Sequence, residues 1–264
     1  MFDKYLERWD LTPDGEPIIT PTSRLLPVRW GGVPAMLKIA ALDEEKLGNL
    51  LMIWWNGHGA ARVLAHGENA ILMERAEDDA SLADVARKRD DDEASRVICS
   101  VLAKLHAPRG RPPPVLLPLT EWFEALRRAA EARGGILRVA ATTASNLLAS
   151  ERDIVVLHGD MHHGNVLNFG SRGWLAIDPK GLVGERYFDY ANIFCNPDHE
   201  TATMPGRLAH QLRVVADAAH LERRRLLAWV VAWAGLSAAF SLDDGRPPDT
   251  GLRVAELAAV ELSR

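Results

Sequence analysis

Short apolar runs alternate with turn residues over the first seventy-odd positions. "PIIT" (17–20), "LLPVRW" (25–30) and "AMLKIA" (35–40) read as strands, with Gly31–Gly32 as a turn between the last two. "LDEEKLGNLLMIWW" (42–55) then places Leu47, Leu50, Leu51 and Trp54 at helical spacing, and Gly57 and Gly59 follow as stop signals. "RVLAHGENAILMER" (62–75) predicts two further strands around the turn "HGEN".

From about residue 77 the period changes. "EASRVICSVLAKLH" (93–106) puts Val97, Ile98, Val101, Leu102 and Leu105 on one helical face. "PRGRPPP" (108–114) interrupts the chain. Thr120 is placed to N-cap a helix ending at Gly134–Gly135, and another helix is predicted over 140–150. Strand signals return in "DIVVL" (153–157), "NVLNF" (165–169) and "WLAID" (174–178), the last two joined by "GSRG". After about 207 the pattern is helical to the end. "LLAWVVAWAGLSAAFSL" (226–242) is at the short end of the membrane-spanning range. It carries Gly235, Ser237 and Ser241 and has no second span beside it, so a buried core helix is predicted. The predicted order is a sheet-rich lobe with one helix, residues 1–76, then a larger helical lobe with one hairpin, residues 77–264.

Composition narrows the function classes. The chain has 264 residues, 47% hydrophobic and 25% charged, with a net charge of −5. General nucleic-acid binding is disfavoured at that charge, and a neutral or cationic small molecule suits it better. Cys99 and Cys195 are too few for a disulfide framework or a four-cysteine zinc site, so a reducing compartment is expected. "MFDKYLERWD" at the start has no apolar signal core, which makes the cytoplasm the expected location.

Chemistry concentrates in "HGDMHHGN" (158–165). A transition-metal site would need regularly spaced nitrogen or sulfur ligands, and this cluster does not match the helical HExxH arrangement. A serine hydrolase would need a GxSxG elbow, which the chain lacks. Phosphoryl transfer needs a carboxylate for the attacking hydroxyl, oxygen ligands for magnesium and a lysine for the phosphates. Asp160 meets the first need. Asn165 and Asp178 meet the second, because an antiparallel hairpin of "NVLNF" and "WLAID" would bring them to one end. Lys38, charged in the middle of an apolar strand, meets the third, with Glu44 or Glu45 as its partner on the next helix.

The chain resembles the aminoglycoside phosphotransferase family of the protein-kinase-like α+β fold, nearest its streptomycin 6-kinase and hydroxyurea phosphotransferase branch. The matching pieces are "WWNGHGAARVL" (54–64), "ILMERA" (71–76), "LHGDMHHGNVL" (157–167) and "SRGWLAIDPKGLVGE" (171–185). The resemblance implies ATP and magnesium as cofactors. It implies Asp160 as catalytic base, Asn165 and Asp178 as magnesium ligands, and Lys38 on the phosphates, paired with Glu45. It makes "MERA" the hinge, with the Glu74 carbonyl and Ala76 amide facing adenine, and His158 a brace for the loop. Where protein kinases carry a glycine-rich loop, "TPTSRLLPVRW" (20–30) has no glycine, so Thr22 and Ser23 are the candidate phosphate contacts.

The implied acceptor is a cationic, hydroxyl-rich small molecule, with streptomycin first. His162, Glu185, Asp189, Asp198 and Glu200 are candidates for facing it. Asp189 also resembles the aspartate that holds the catalytic loop through backbone hydrogen bonds. Trp54, Trp55, Trp122, Trp229 and Trp233 are expected in the core. A kinase of another hydroxylated drug or metabolite is an alternative. So is a silent nucleotide-binding regulator, whose mark would be a missing base or metal ligand; none is missing. A monomer or weak homodimer is expected, without membrane or nucleic-acid partners.

Overall fold

The structure is a computed structural model and describes residues 1–77 and 80–264. A short helix, α1 (Asp3–Trp9), precedes the strands β1 (Leu11–Pro13), β2 (Ile18–Ile19), β3 (Ser23–Trp30) and β4 (Val33–Ala40). Helix α2 (Asp43–Trp55) follows, then β5 (Val63–His66) and β6 (Ala70–Glu74). These six strands form one antiparallel sheet in the order β1-β3-β4-β6-β5, with β2 also on β3. β3 begins at Ser23 rather than at Leu25, because eight consecutive residues pair with β4 from Ser23↔Ala40 to Trp30↔Val33. The predicted turn holds: Gly31 and Gly32 both have positive φ, 55° and 81°. α2 stops one residue before the predicted glycines, at Asn56, which takes the left-handed cap.

The remaining chain is mostly helical. It runs through α3 (Leu82–Val85), α4 (Asp91–His106), β7 (Leu117–Pro118), α5 (Leu119–Trp122), α6 (Glu124–Arg133) and α7 (Gly135–Leu148). Strands β8 (Ile154–Leu157), β9 (Val166–Asn168), β10 (Trp174–Ala176) and β11 (Leu182–Glu185) come next. Helices α8 (Tyr187–Ala191), α9 (His199–Ala202), α10 (Arg207–Ala219), α11 (Arg223–Asp243) and α12 (Asp249–Leu262) complete it. Thr120 does not cap a helix; it lies inside α5, whose cap position is Pro118. The sequence reading also missed β11, which joins β7 and β8 in a three-stranded sheet. That sheet and the β9–β10 hairpin frame the loop 158–165.

Two apolar cores form. A small one fills the N-terminal sheet around Val28, Ala35, Leu37 and Leu72. A larger one runs through the helices and takes in Leu51, Met52 and Trp55 of α2, so that helix is bonded by packing to the second part of the chain as well as to its own sheet. The apolar stretch at 226–242 is a core helix, as predicted: within α11 Leu226, Trp229, Val230, Val231, Leu236 and Ala239 are fully buried. Each such Leu or Val contributes roughly 1.5–3 kcal/mol by leaving water. Both cysteines are free and buried, and burial pushes each thiol up to about 12, so neither is a nucleophile at neutral pH.

Candidate active site

The loop after β8 turns at Gly159, whose φ is +86°. A Cβ there would meet Leu182 at 2.9 Å and Lys180 at 3.0 Å, so only glycine lets the loop pass so close to β11. Asp189, on α8, holds this turn. Its two oxygens accept from the backbone N–H groups of His158 and Gly159, each at 2.8 Å, and one also takes His106 Nε2 at 2.8 Å. His158 is fully buried; its Nε2 lies 2.8 Å from the Ile177 carbonyl, and its Nδ1 accepts from the Asp160 amide at 3.3 Å. Burial holds its imidazole below the usual histidine range, against the pull of Asp189 and Asp160.

Asp160 is thereby presented on a rigid turn, partly exposed. Asn192 Nδ2 donates to its Oδ1 at 3.1 Å, and Asn196 Nδ2 in turn donates to Asn192 Oδ1 at 2.8 Å. Asn165 Nδ2 donates to the Asp160 main-chain carbonyl at 2.8 Å, which leaves the Asn165 amide oxygen as an acceptor. The hairpin pairs β9 with β10 antiparallel, and the Ile177 amide donates to the Asn165 carbonyl at 3.0 Å. Asn165 and Asp178 therefore stand at one end of it. Two hard oxygen donors side by side suit magnesium.

Lys38 crosses from the sheet to this point. Its ammonium donates to Glu45 Oε2 at 2.6 Å and to Asp178 Oδ1. Glu45 is fully buried, and its other oxygen takes Lys180 Nζ at 2.9 Å. Burial raises the Asp178 carboxyl, but Lys38 and Lys180 outweigh it and hold the group below the usual carboxylate range. Glu45, not Glu44, is the partner of Lys38. The helix is seated tightly. Gly48, one turn after Glu45, lies against the Pro179 carbonyl with no room for a Cβ. Glu74 ends β6, and its side chain pairs with Arg172; residues 75–77 connect the two parts without regular structure.

On the other side of Asp160 lies a cavity of about 340 Å³. Trp122, Trp233 and Phe240 give it aromatic walls, and Asn192, Asn196, Ser237, Ser241, His162 and Arg246 give it polar ones. Lys180 and Gly159 complete its floor beside Asp160. The Trp233 indole N–H is buried and has no partner among the described residues.

Several sequence expectations need correction. Ser23 is not free to contact phosphate: it is buried, and its hydroxyl donates to Glu45 Oε2 at 3.0 Å. Thr22 remains half-exposed at the β2–β3 turn. Glu185 does not face an acceptor. It is fully buried, with Arg225 on both oxygens at 2.5 Å and the Trp229 N–H at 3.0 Å. Asp189 is equally spent on the loop and on His106. Asp198 caps α9 through the Thr201 amide and pairs with Arg87 at 2.7 Å. Neither Asp198 nor Glu200 lines the cavity. Trp122 and Trp233 are cavity walls rather than plain core. His162 and His163 point opposite ways. His162 lines the cavity, while His163 is 2% exposed, and burial beside Arg207 pushes its imidazole down to about 3. No group of three or more His, Cys, Asp or Glu able to hold a metal occurs among the described residues.

Sequence reasoning overlooked Lys180 and Asn192. A signal existed for both: Lys180 is two residues past Asp178, and Asn192 is one helical turn past Asp189.

Known proteins resemble this chain in sequence and in fold. The chain is 53% identical over 245 residues to a streptomycin 3''-kinase of Klebsiella pneumoniae, covering 91% of this chain and 92% of that one. It is 35% identical over 202 residues to a streptomycin 6-kinase of Streptomyces glaucescens, covering 72% and 64%. Its fold matches that of aminoglycoside phosphotransferase APH(4)-Ia, solved with ADP and hygromycin B, with a TM-score of 0.66 at 15% identity over 99% and 96% of the two chains. The family model described as aminoglycoside/hydroxyurea antibiotic resistance kinase matches residues 8–245, and this chain, a phosphotransferase of protein-kinase-like fold, belongs to that family.

Proposed function

We propose that the protein transfers the γ-phosphate of ATP to a hydroxyl of streptomycin, the 3'' hydroxyl in particular. The observation that carries this is Asp160 at the boundary between the Lys38–Glu45–Asp178 cluster and the aromatic cavity. Motif resemblance alone points to the 6-hydroxyl. The 53% identity to a 3''-kinase, against 35% to a 6-kinase, supports the other position.

The geometry and the family resemblance support the following roles. Asp160 orients the acceptor hydroxyl and takes its proton. Asn192 holds that carboxylate, and Asn165 holds the main-chain carbonyl of the same residue. Asp178 and Asn165 would hold magnesium, which supplies positive charge for the phosphates. Lys38 would contact the phosphates, and the segment at Glu74 and Ala76 would face adenine. Thr22 remains a candidate phosphate contact at the hairpin tip. Recognition of the acceptor rests on rings rather than acids. A guanidinium over an indole face is worth about 0.5–2 kcal/mol. The unpartnered Trp233 N–H offers a donor to an acceptor oxygen.

The test is incubation of the purified protein with ATP, magnesium and streptomycin. A gain of one phosphate by mass is expected, with NMR locating it at the 3'' position. A phosphate at the 6 position would revise the site of transfer. If streptomycin gains none while a neutral or acidic metabolite does, the acceptor assignment fails.

A further inference from the structure

Lys180 is unexplained by the roles above. It reaches Glu45 Oε1 at 2.9 Å from behind the Asp178 turn, and it also lines the acceptor cavity beside Gly159 and Asp160. Among the described residues, Lys38 has two carboxylate partners, Glu45 and Asp178, and Lys180 has one, Glu45. An ammonium carries three donors. Lys180 is mostly buried, with 16% of its side chain exposed, so unused donors on it are costly. Its ammonium stands against the buried Glu45 carboxylate and on the cavity wall with Asp160. It is a fixed positive charge between the metal-side aspartate and the base.

We propose that Lys180 is a catalytic residue that contacts the phosphoryl group as it passes from nucleotide to acceptor. This rests on the phosphotransferase reading, but not on streptomycin being the acceptor. In the step, the bond from the γ-phosphorus to the β,γ-bridging oxygen breaks, and ADP leaves with the electron pair. A bond forms from the acceptor oxygen to the same phosphorus, and the hydroxyl proton goes to Asp160. Lys180 gains and loses no proton. Its free N–H groups bond the equatorial oxygens, where charge spreads in a loose transition state.

The competing account is that Lys180 only locks α2 through Glu45. Lys180→Met separates the two. A phosphoryl contact predicts that kcat falls by about 10²–10³, the usual cost of removing one transition-state donor. ADP affinity should stay within about threefold, and the extra affinity for ADP with aluminium fluoride, a mimic of the transferring group, should vanish. Lys180→Arg should recover part of kcat. Slow ATP hydrolysis without any acceptor should fall in parallel, so the result is readable even if streptomycin proves wrong. If Lys180→Met does not fold, Lys180→Gln, which keeps a donor for Glu45 without the charge, carries the same expectations. The proposal is overturned if ADP affinity and melting temperature fall together with kcat and Glu45→Gln reproduces the pattern. It is also overturned if the fluoride complex binds the variant as tightly as wild type.

Discussion

Asp160 separates two regions built on different physics. On one side Lys38, Glu45, Asp178 and Lys180 form a buried chain of opposite charges. Glu45 is the fully buried hub, and removing it would leave Lys38 and Lys180 without their shared partner, at about 3–5 kcal/mol. On the other side, two indoles, a phenyl ring, serines and asparagines line an open cavity. Losses there are graded, because a ring can be trimmed without stranding a charge. The difference separates tasks. On the proposed reading, the charged side serves phosphoryl transfer and the aromatic side selects the acceptor.

Three experiments probe that division. The largest effect is expected at the boundary itself. Asp160→Asn should lower kcat by about 10²–10⁴, since proton acceptance and hydroxyl orientation are both lost. Nucleotide affinity, read by titration calorimetry, should hold. Near wild-type turnover would place the base elsewhere.

A smaller effect is expected in the cavity. Trp122→Leu keeps apolar bulk but removes the ring face. Streptomycin KM should rise about tenfold, the equivalent of 1.4 kcal/mol, while ATP KM stays within about twofold. A rise confined to ATP KM would show that the two sides have been assigned the wrong way round.

The smallest effect concerns stability and involves two buried histidines of the loop that carries Asp160. Burial depresses both His158 and His163, the latter to about 3. Below about pH 6.5 the unfolded chain takes up protons that the folded chain refuses. Stability is therefore expected to fall as pH drops through that value, by about 1.4 kcal/mol per pH unit for each histidine. Urea midpoints at pH 7.5 and 5.5 would measure this. His163→Gln should remove roughly half of the slope, and an unchanged slope would mean that His163 is protonated in the folded chain.

The charged side was largely legible in the sequence, and the aromatic side was not. Asn165 and Asp178 sit on one contiguous hairpin, so pairing rules alone bring them together. Lys38 stood out as a charge inside an apolar strand, and Glu45 lies in the first turn of the next helix. The cavity walls come from α5, α11 and the turn after α11, far apart in sequence, and a tryptophan facing a cavity has the same helical spacing as one in a core. The misplaced acids have a similar cause. Glu185 and Asp189 look like available carboxylates until Arg225 and the loop amides are seen to occupy them. Composition counts charges but does not show their partners. Thr120 was misread because Leu119 before it is buried and already helical.

Gly48 has a consequence for control. Kinase-like enzymes are commonly switched by moving the helix that carries the glutamate partner of the phosphate lysine. Here that helix rests on the Pro179 carbonyl with only a hydrogen atom between them. A displaced, inactive position would have to drag the Asp178–Lys180 turn along with it. The contact thus couples the helix to the Asp178–Lys180 turn, so that the Lys38 partner and the metal-side aspartate shift together or not at all.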